Sequence, residues 1–579
     1  MEKSLHWVDG SLGHVNSICS GTTWPVGTRV AAAGAGHCGQ DVCSSSSSCD
    51  LSGHRAFGAH GSLRQSRRQN NKPALVKAGY GGTGGTDGGD ADDTPATQVA
   101  PGAKAGPAGA RRRRFRFWID YQALSSPSSA ELLERALVAA GGVRTGGPPK
   151  TDPATGAKRD DGVYGYMHMD AWDLLWSVTA KAALAADLLR GHQMLGIIPG
   201  LLAVSRKTTL VRSLRDLYGE AAWDIVPRSY KLPDELDDWG RWVASNPGRD
   251  TGLWMLKNNK QRGTGLRLVR TSEAFSACFE TISRPDLPPG VRLYRWYLAQ
   301  QYVADPLLID GCKFGVRVWV LVSDVAPLRI YIHSRGLVLF SSHKYDTELL
   351  STPGGSESAF SSGPAPGHVT NYAQNENGDV WSLGQFAAHL GAAAWRQLWR
   401  AMCRSAAAAF AAALPRGAEV LAEVRPPPHS CFQFFGLDFL VDRGGRPWLL
   451  EVNATPSMKV EHTDPHVADL IQAQKWPAVR DMVALMGLGP ERFEEAAPGG
   501  PSKDRSTPAY AADELRRRGG YLPLLHLLPT PAASTTPAAA TASGLLRPLP
   551  WTAADRALRE WCRSCREYQM AAAEIPGVS

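Results

Sequence analysis

Hydrophobic residues along the chain follow strand and helix patterns mainly between about residue 115 and residue 489. Residues 115–121, FRFWIDY, predict a first strand. The next stretch, SSPSSAELLERALVAAGG, combines a Ser/Pro start, apolar residues at helical spacing and a glycine stop, which predict a helix. Residues 205–219 predict a basic helix that Ser205 caps and Gly219 ends. A strand followed by a helix opens an α/β unit.

A hairpin with a polar loop is predicted further along. Residues 253–256 form an apolar strand that ends at Lys257, and the Gly-containing loop 258–265 leads to a second strand, 266–269. Free backbone N–H groups in such a loop, with a lysine at the strand end, can cover the phosphates of a nucleotide. Glycine loops are common, so the stronger signal is Lys257, because lysine is rarely buried unpaired.

Two more strands, AQQYV and KFGVRVWVLV, are separated by a turn-rich connection. Lys313 and Arg317 are four residues apart in the second strand and project to one face, which suggests an anion opposite them. The alternative is an exposed sheet face. Residues 327–345 continue the sheet, with Arg335 predicted at a turn.

The remaining pattern alternates polar loops and helices. HVTNYAQN, residues 368–375, is a loop of hydroxyl and amide groups suited to orienting ligands. The Ala-rich run 387–414 predicts one long helix, because alanine is the strongest helix former. Residues 462–489 predict a closing helical region.

The stretch 431–458 predicts a hairpin of two strands, CFQFFGLDFLVD and WLLEVN, joined by RGGRP. If the turn closes on Gly444 and Gly445, facing positions sum to 889. Asp438 then lies opposite Glu451, and Asn453 lies two residues on, on the same side of the sheet.

Two carboxylates facing each other in apolar surroundings are destabilising and expensive to bury. A divalent cation removes the conflict, and Mg²⁺ takes oxygen ligands of this kind. The alternative is a solvent-facing acidic pair with a structural asparagine. Burial is favoured because the neighbouring residues are large and apolar, namely Phe434, Leu437, Phe439, Leu449, Leu450 and Val452.

Composition divides the chain of 579 residues into three parts. Residues 1–110 contain SSSSS and GGTGGTDGG and are predicted to be disordered, because they cannot bury enough surface to offset chain entropy. Residues 490–579 are rich in Pro and Ala, with a helix predicted at 551–570 for docking or for packing on the core. The folded domain is predicted between them, at 111–489.

A net charge of +8 suits an acidic partner, and RRRRFRF at 111–117 is a local basic run or else a solvated strand edge. No nucleic-acid partner is predicted. The ten cysteines form no compact framework, which indicates a reducing compartment. A zinc site from the cysteines and histidines of residues 37–54 is disfavoured by its Gly/Ser-rich setting, and the cysteine pair 562/565 is a weak signal. Without a long apolar stretch or a signal peptide, the chain is predicted to be cytoplasmic, with no membrane span.

The motifs LWMLK…RGTGL, QQYVADPLLIDGCKFGVRVWVLV, HSRGL, HVTNYAQN and FGLDFLVD…PWLLEVNATPS come in the order and spacing of the tubulin–tyrosine ligase-like proteins. The chain resembles this family from residue 196 to residue 487, and most resembles its polyglutamylases. The resemblance implies an α/β (α+β) ATP-grasp fold with N-terminal, central and C-terminal subdomains between disordered tails. It also implies cytoskeletal location, including a cilium, flagellum or basal body.

The resemblance assigns roles residue by residue. Lys257, Lys313 and Arg317 are expected to be catalytic. The metal ligands are expected to be Asp438, Glu451 and Asn453. The amino-acid substrate is expected to contact Arg335, Tyr372 and Lys475. The expected ATP-binding residues are Lys207, Lys257, Thr264, Gly265, Gln300, Gln301, Tyr302, Val303, Lys313, Gly315, Thr370 and Asn371.

The implied reaction uses ATP and Mg²⁺ to join a free amino acid to a glutamate side chain in an acidic tubulin tail, through an acylphosphate. The TNY triplet and the K-x5-D pattern of Lys475 and Asp481 favour glutamate, whereas Val380 before Trp-Ser is compatible with glycine, and tyrosine stays open. Gly315 stands where the family has an acidic ATP contact, and Thr264 where it has Lys or Arg. These departures leave a catalytically weakened microtubule-binding module as one alternative and a ligase for another acidic protein as a second.

Overall fold

The computed structural model describes residues 114–121, 124, 127–146, 164–247, 252–258, 265–282, 293–325, 328–346, 367–370, 375–493, 507–524 and 553–564. The Cys/His stretch 37–54, residues 111–113 of the basic run and three predicted site residues, Thr264, Asn371 and Tyr372, lie outside this set. No helix in the described ranges has both the length and the apolar character needed to span a membrane.

The N-terminal part is a parallel sheet with helical connections. Its strands, in the order β2-β1-β3-β4, are β1 (Arg116–Ile119), β2 (Val143–Arg144), β3 (Leu174–Trp176) and β4 (Met194–Leu195). Helix α1 (Glu131–Ala139) joins β1 to β2, and α2 (Ala180–Leu184) precedes β4. The predicted strand–helix opening is confirmed.

A second, antiparallel sheet forms the central part. It is preceded by α3 (Lys207–Tyr218) and has the order β5-β10-β6-β7. Its strands are β5 (Ser229–Lys231), β6 (Leu253–Lys257), β7 (Leu266–Arg270) and β10 (Leu298–Gln301). Beside them lie α4 (Leu236–Ser245), α5 (Thr271–Ala277) and a small pair, β8 (Thr281–Ile282) and β9 (Leu293–Tyr294). The hairpin predicted around Lys257 is confirmed as β6 and β7.

The main sheet has seven strands, with the path β14-β13-β12-β15-β16 and two short strands paired to its long central ones. These strands are β11 (Leu308–Ile309), β12 (Cys312–Val325), β13 (Leu328–Lys344), β14 (Val380–Ser382), β15 (Gln433–Val441), β16 (Pro447–Asn453) and β17 (Tyr521–Pro523). The C-terminal helices are α6 (Leu383–Leu390), α7 (Ala392–Val424), α8 (Pro465–Leu485), α9 (Pro490–Phe493), α10 (Pro508–Arg517) and α11 (Ala553–Ser564).

Helices cover both faces of the main sheet. On one face α7 packs against the inward side chains of β12 and β15, with Phe410 against Phe435 at a ring-centroid distance of 4.9 Å. On the other face Trp319 and Phe434 belong to a core that includes Met482 of α8 and the strand β1. The molecule is therefore an α+β protein, as predicted.

Two helix predictions need correction. The run 387–414 is not one helix: Gly391, at φ +78°, separates α6 from α7, and α7 continues to Val424. Glycine adopts this left-handed backbone without a Cβ clash, so the chain changes direction there. Helix α3 does end before Gly219, but Ser205 does not cap it, because the Ser205 hydroxyl donates to the Leu202 carbonyl instead.

The fold continues beyond the predicted boundary at residue 489. Strand β17 pairs with β13 in the main sheet, and Tyr521 is fully buried. Helix α10 places Glu514 in the interior, where it meets Arg329 and Tyr331. Within the range 551–570, α11 packs on α10 through Leu558 and Ala511. The Pro/Ala-rich composition of residues 490–579 did not predict this segment. Its few buried residues contact residues far away in the sequence, on β13.

Candidate functional site

One cavity of about 1230 Å³ lies on the α8 side of the main sheet and extends to the central sheet. This is larger than the usual site for one small molecule. It brings together most of the predicted site residues that the structure describes. Those lining it are Lys207, Lys257, Gln300, Gln301, Tyr302, Val303, Lys313, Gly315, Arg317, Thr370, Asp438, Glu451, Asn453 and Lys475.

A single row of paired residues crosses the cavity floor. Leu337 pairs with Arg317, Arg317 with Asp438, and Asp438 with Glu451, across the four adjacent strands β13, β12, β15 and β16. Paired residues in neighbouring strands project to the same face. The floor therefore presents two carboxylates and a guanidinium to whatever occupies the cavity.

The predicted register of the hairpin β15–β16 is confirmed at Asp438 and Glu451, although its turn differs. The loop has three residues, 443–445, because Asp442 donates to the Arg446 carbonyl and Gly445 adopts φ +80°. Next to the turn, facing residues therefore differ by one position from the predicted register, with Val441 opposite Pro447. A bulge at Leu450 restores the predicted register from Asp438 onwards. Leu450 is also only half-buried, not buried as predicted, because the bulge turns it towards the cavity.

Cations offset both floor carboxylates. The Arg317 guanidinium forms two contacts with Asp438, one of them Nη2–Oδ2 at 2.8 Å. Lys207, at the first turn of α3, places Nζ 3.2 Å from Glu451 Oε1. Asn453 Nδ2 donates to Asp438 Oδ2 at 2.9 Å. The like-charge conflict that suggested a metal is thus balanced by two side chains.

The donor set still fits Mg²⁺. Asp438, Glu451 and Asn453 supply carboxylate and amide oxygens at one end of the cavity, and Mg²⁺ commonly uses one or two carboxylates together with substrate phosphates. Within the described ranges no group of three or more His, Cys, Asp or Glu side chains could hold a metal on its own. These residues therefore suit a metal that arrives with a phosphorylated ligand.

Lys257 is buried at the end of β6 and faces the same cavity. Its Nζ donates to Gln300 Oε1 at 2.5 Å, and Gln300 Nε2 donates to Ser229 Oγ at 2.9 Å. Burial, reinforced by Lys207 and opposed by Glu451, lowers the pKa of Lys257 to about 8. An ammonium group held in this way gains most from an anionic ligand.

Lys313 lies in a box of aromatic and polar groups. Its Nζ donates to Tyr302 Oη at 2.9 Å and to the His368 carbonyl at 3.0 Å, and it lies 4.4 Å from the Tyr302 ring centroid. Tyr345 adds a second ring at 5.6 Å. Burial, reinforced by Lys257, lowers the pKa of Lys313 to about 7. Lys313 can therefore gain a proton near neutral pH when an anion binds.

The predicted hinge, Gln300 to Val303, spans the end of β10 and the two residues after it. Gln301 donates its backbone N–H to the Arg228 carbonyl, and Tyr302 donates to the Leu253 carbonyl, so the segment is fixed between two strands. The space beside Gly315 is small, because a Cβ added at this position would lie 3.2 Å from Thr370 Oγ1. Gly265 does not line the cavity; its carbonyl accepts from Asn258 at 3.0 Å, at the base of the β6–β7 loop.

Of the predicted amino-acid contacts, Lys475 lines the cavity and Arg335 does not. Lys475 on α8 lines the cavity, and its Nζ donates to the Lys459 carbonyl at 2.6 Å. Partial burial, with Arg317 and Lys459 nearby, lowers the pKa of Lys475 to about 7. Its predicted partner Asp481 instead contacts His333 Nε2 at 3.3 Å, away from the cavity.

Arg335 is not at a turn, and it does not line the cavity. Strand β13 is continuous through this point, and Arg335 lies in an irregular stretch where three residues of β13 face one of β12. The β13 side chains that do line the cavity are Leu337 and Leu339. The irregularity changes which β13 residues face the cavity, and the family resemblance that assigned Arg335 to the amino acid carries no information about it.

Among the cavity residues that were not predicted as site residues are His368 and Lys459. His368 lines the cavity, and its Nδ1 lies 2.9 Å from Tyr302 Oη; burial lowers its pKa to about 4, so the ring is neutral. Lys459 lies on the segment after β16 and also lines the cavity. The available signal was that His368 begins the motif HVTNY and that Lys459 directly follows ATPSM.

Two buried lysines, one on each of two antiparallel sheets, share a cavity with an oxygen-rich hairpin, which is the arrangement of an ATP-grasp protein. The model of the Tubulin-tyrosine ligase family matches residues 185–474, half of the chain. The chain belongs to this family.

The curated relatives are modification enzymes of tubulin by name. The chain is 25% identical to the human "Probable tubulin polyglutamylase TTLL2" over 356 residues, covering 57% of this chain and 52% of the relative. It is 27% identical to the human "Tubulin monoglutamylase TTLL4" over 340 residues, covering 55% of this chain and 25% of the relative. It is 25% identical to the human "Tubulin polyglutamylase TTLL6" over 319 residues, covering 52% of this chain and 33% of the relative. The chain thus spans about half, or less, of the length of these three.

Proposed function

We propose that this protein is an ATP- and Mg²⁺-dependent ligase that adds an amino acid, glutamate, to glutamate side chains in the acidic C-terminal tails of tubulin. The observation that carries the proposal is that Lys257, Lys313, Asp438 and Glu451 all line the same cavity. Its partners would be microtubules and free glutamate, and its location the cytoskeleton, including cilia, flagella or basal bodies. Family membership and the names of the relatives support this proposal.

The residues would divide the chemistry as follows. Lys257 and Lys313 would neutralise the ATP phosphates, with Gln300 to Val303 as the hinge beside the base. Asp438, Glu451 and Asn453 would hold Mg²⁺, which supplies further charge neutralisation when bound. A tubulin carboxylate would attack the γ-phosphate, releasing ADP and forming an acylphosphate, and the amine of the amino acid would then displace inorganic phosphate. The protein positions these groups and offsets their charge.

The experiment is a transfer assay with purified protein, microtubules and Mg-ATP, using labelled glutamate, glycine or tyrosine in parallel. We expect label on tubulin with glutamate, and less or none with glycine and tyrosine. A family member of known activity serves as the positive control in the same buffer. Absence of transfer with every amino acid, while the control transfers label, would contradict the proposal.

A second candidate is a microtubule-binding module with weak or no ligase activity. Two observations favour it: Gly315 offers no acidic group, and Leu337 and Leu339 make the β13 side of the cavity apolar. In the same assay such a module would pellet with microtubules in a salt-sensitive way without transferring label. A ligase acting on another acidic protein would transfer label only when that acceptor replaces tubulin.

Nucleotide binding is expected to depend on pH through Lys313. The pKa of this side chain in the free protein is about 7, so it is charged below pH 7 and neutral above. Because ATP binds the charged form better, affinity should fall about tenfold between pH 6 and pH 8. Equilibrium binding at these two pH values is compared with Lys313→Gln, which should bind weakly at both. An identical pH profile in Lys313→Gln and in the parent protein would show that Lys313 is not responsible.

Lys475 is expected to select the amino acid. Its ammonium group lines the cavity near Arg317 and would pair with the glutamate side-chain carboxylate. Losing one charged hydrogen bond costs about 1.5–3 kcal/mol, so Lys475→Met should raise the KM for glutamate about ten- to a hundredfold. The KM for ATP should stay within about twofold. Equal increases for both substrates would place Lys475 elsewhere in the mechanism.

A further inference from the structure

A stripe of three arginines lies on the outer face of α7. Arg396, Arg400 and Arg404 follow each other at intervals of four residues, and all three are exposed. With Ala393 and Gln397 they line a shallow groove of about 290 Å³. No residue in the described ranges forms an ion pair with any of the three.

The stripe does not stabilise its helix. Residues 383–414 contain no Asp or Glu, so the arginines have no acidic neighbour along α6 or the first two-thirds of α7. Like charges four residues apart repel each other on a helix, and a cation near the N-terminus opposes the helix dipole. Packing of α7 comes from the opposite face, where Trp395 and Trp399 are buried. The compensation for these unfavourable charges is therefore expected from a partner.

The stripe lies on the opposite side of the main sheet from the cavity. Phe410 of α7 packs on Phe435 of β15, and Asp438, three residues later in the same strand, lines the cavity. Residues separated by three in a strand point to opposite faces. A chain segment in the cavity cannot at the same time occupy the arginine groove.

The spacing of the stripe matches an extended acidic chain. Four residues of helix rise about 6 Å, and every second side chain of an extended strand recurs at about 6.8 Å on one side. Carboxylates on alternate residues can therefore meet successive arginines, each in the bidentate geometry that guanidinium groups favour. A nucleic acid is less suited, because Trp395 and Trp399 are buried and leave no aromatic surface for bases in the groove. We propose that the α7 arginine stripe binds an acidic polypeptide in extended conformation, at a site separate from the cavity.

The test is fluorescence anisotropy with a labelled peptide of alternating Glu and Gly, at low ionic strength. The variant Arg396→Gln/Arg400→Gln/Arg404→Gln keeps helix-forming side chains and should bind the peptide at least about tenfold more weakly. The matched control is Arg190→Gln/Arg241→Gln/Arg443→Gln. It removes the same charge from exposed arginines that are paired with aspartates. Its affinity should stay within about twofold of the parent.

Circular dichroism checks that each variant is folded. If the triple variant is unfolded, the single variant Arg400→Gln should still show a several-fold loss of peptide affinity. Equal weakening in the two triple variants would reduce the effect to net charge and overturn the proposal. Loss of binding to a thymidine oligonucleotide with unchanged peptide binding would overturn it in favour of nucleic acid. The readout needs no ligase activity, so failure of the proposed reaction would leave this result interpretable.

Discussion

Asp438→Asn is expected to reduce amino-acid transfer about a hundredfold or more, because residues that merely support a metal ligand already account for ten- to a hundredfold. The substitution keeps the shape of the side chain and its contact with Asn453, while it removes the charge that Arg317 and the proposed Mg²⁺ share. Transfer of labelled glutamate at saturating Mg-ATP is the measurement. The loss should appear in kcat/KM and should be only partly recovered at high Mg²⁺.

The control for this prediction is Asp305→Asn, which removes the same charge from an exposed ion pair with Arg443. Such a pair contributes little, so activity should stay within about twofold. Thermal unfolding of both variants separates a lost site from a lost fold. Unchanged transfer in Asp438→Asn would remove the metal assignment from the hairpin.

Glu514→Gln is expected to lower the free energy of unfolding by about 3–5 kcal/mol, because it removes a buried charge that pairs with a buried arginine. Glu514 is 2% exposed and contacts both Arg329, 2% exposed, and the Tyr331 hydroxyl. Burial and the adjacent carboxylate raise the pKa of Tyr331, so its hydroxyl is the donor. Urea unfolding is the measurement.

The neighbouring residue provides the control. Asp513 precedes Glu514 but lies at the surface of α10, where it pairs with Arg516 and Arg517. Asp513→Asn should therefore cost less than about 1 kcal/mol. Equal destabilisation by the two substitutions would show that α10 and β17 are not anchored through the buried charge.

Local patterns in the sequence predicted the central residue pair of the hairpin at the site, but not its turn. Alternation and a Gly-Gly turn predicted the pairing of Asp438 with Glu451, and it is observed. The agreement depended on two deviations that cancel, a three-residue loop and the bulge at Leu450. Neither deviation has a sequence signal as strong as the alternation itself.

Long-range structure accounts for what the sequence could not predict. Arg335 was assigned to the site by a motif, but the irregular stretch of β13 leaves Leu337 and Leu339 facing the cavity. This irregular stretch of β13 depends on how β13 pairs with β12, and the periodicity of a single strand does not predict such pairing. Likewise β17 is too short to be recognised, and only its pairing with β13 identifies it as a strand.

Lys475 shows the converse case. Lys475 lies 22 residues after Asn453 in the sequence, yet α8 packs over the main sheet and brings Lys475 to the same cavity. A helix that packs across a sheet can place a side chain in the site even when that residue is distant in sequence from the other site residues. Spacing along the chain is therefore a weak guide once a helix intervenes.

The central proposal is that the cavity couples ATP cleavage to bond formation between an acidic acceptor and an amino acid. The most direct measurement is the ratio of ADP formed to labelled glutamate incorporated into tubulin, with omission of either substrate as the control. We predict one ADP for each glutamate joined, with ADP formation depending on acceptor and Mg²⁺ and lost in Asp438→Asn. Incorporation without ADP, formation of AMP instead of ADP, or ADP release that is independent of the acceptor would contradict the proposed reaction.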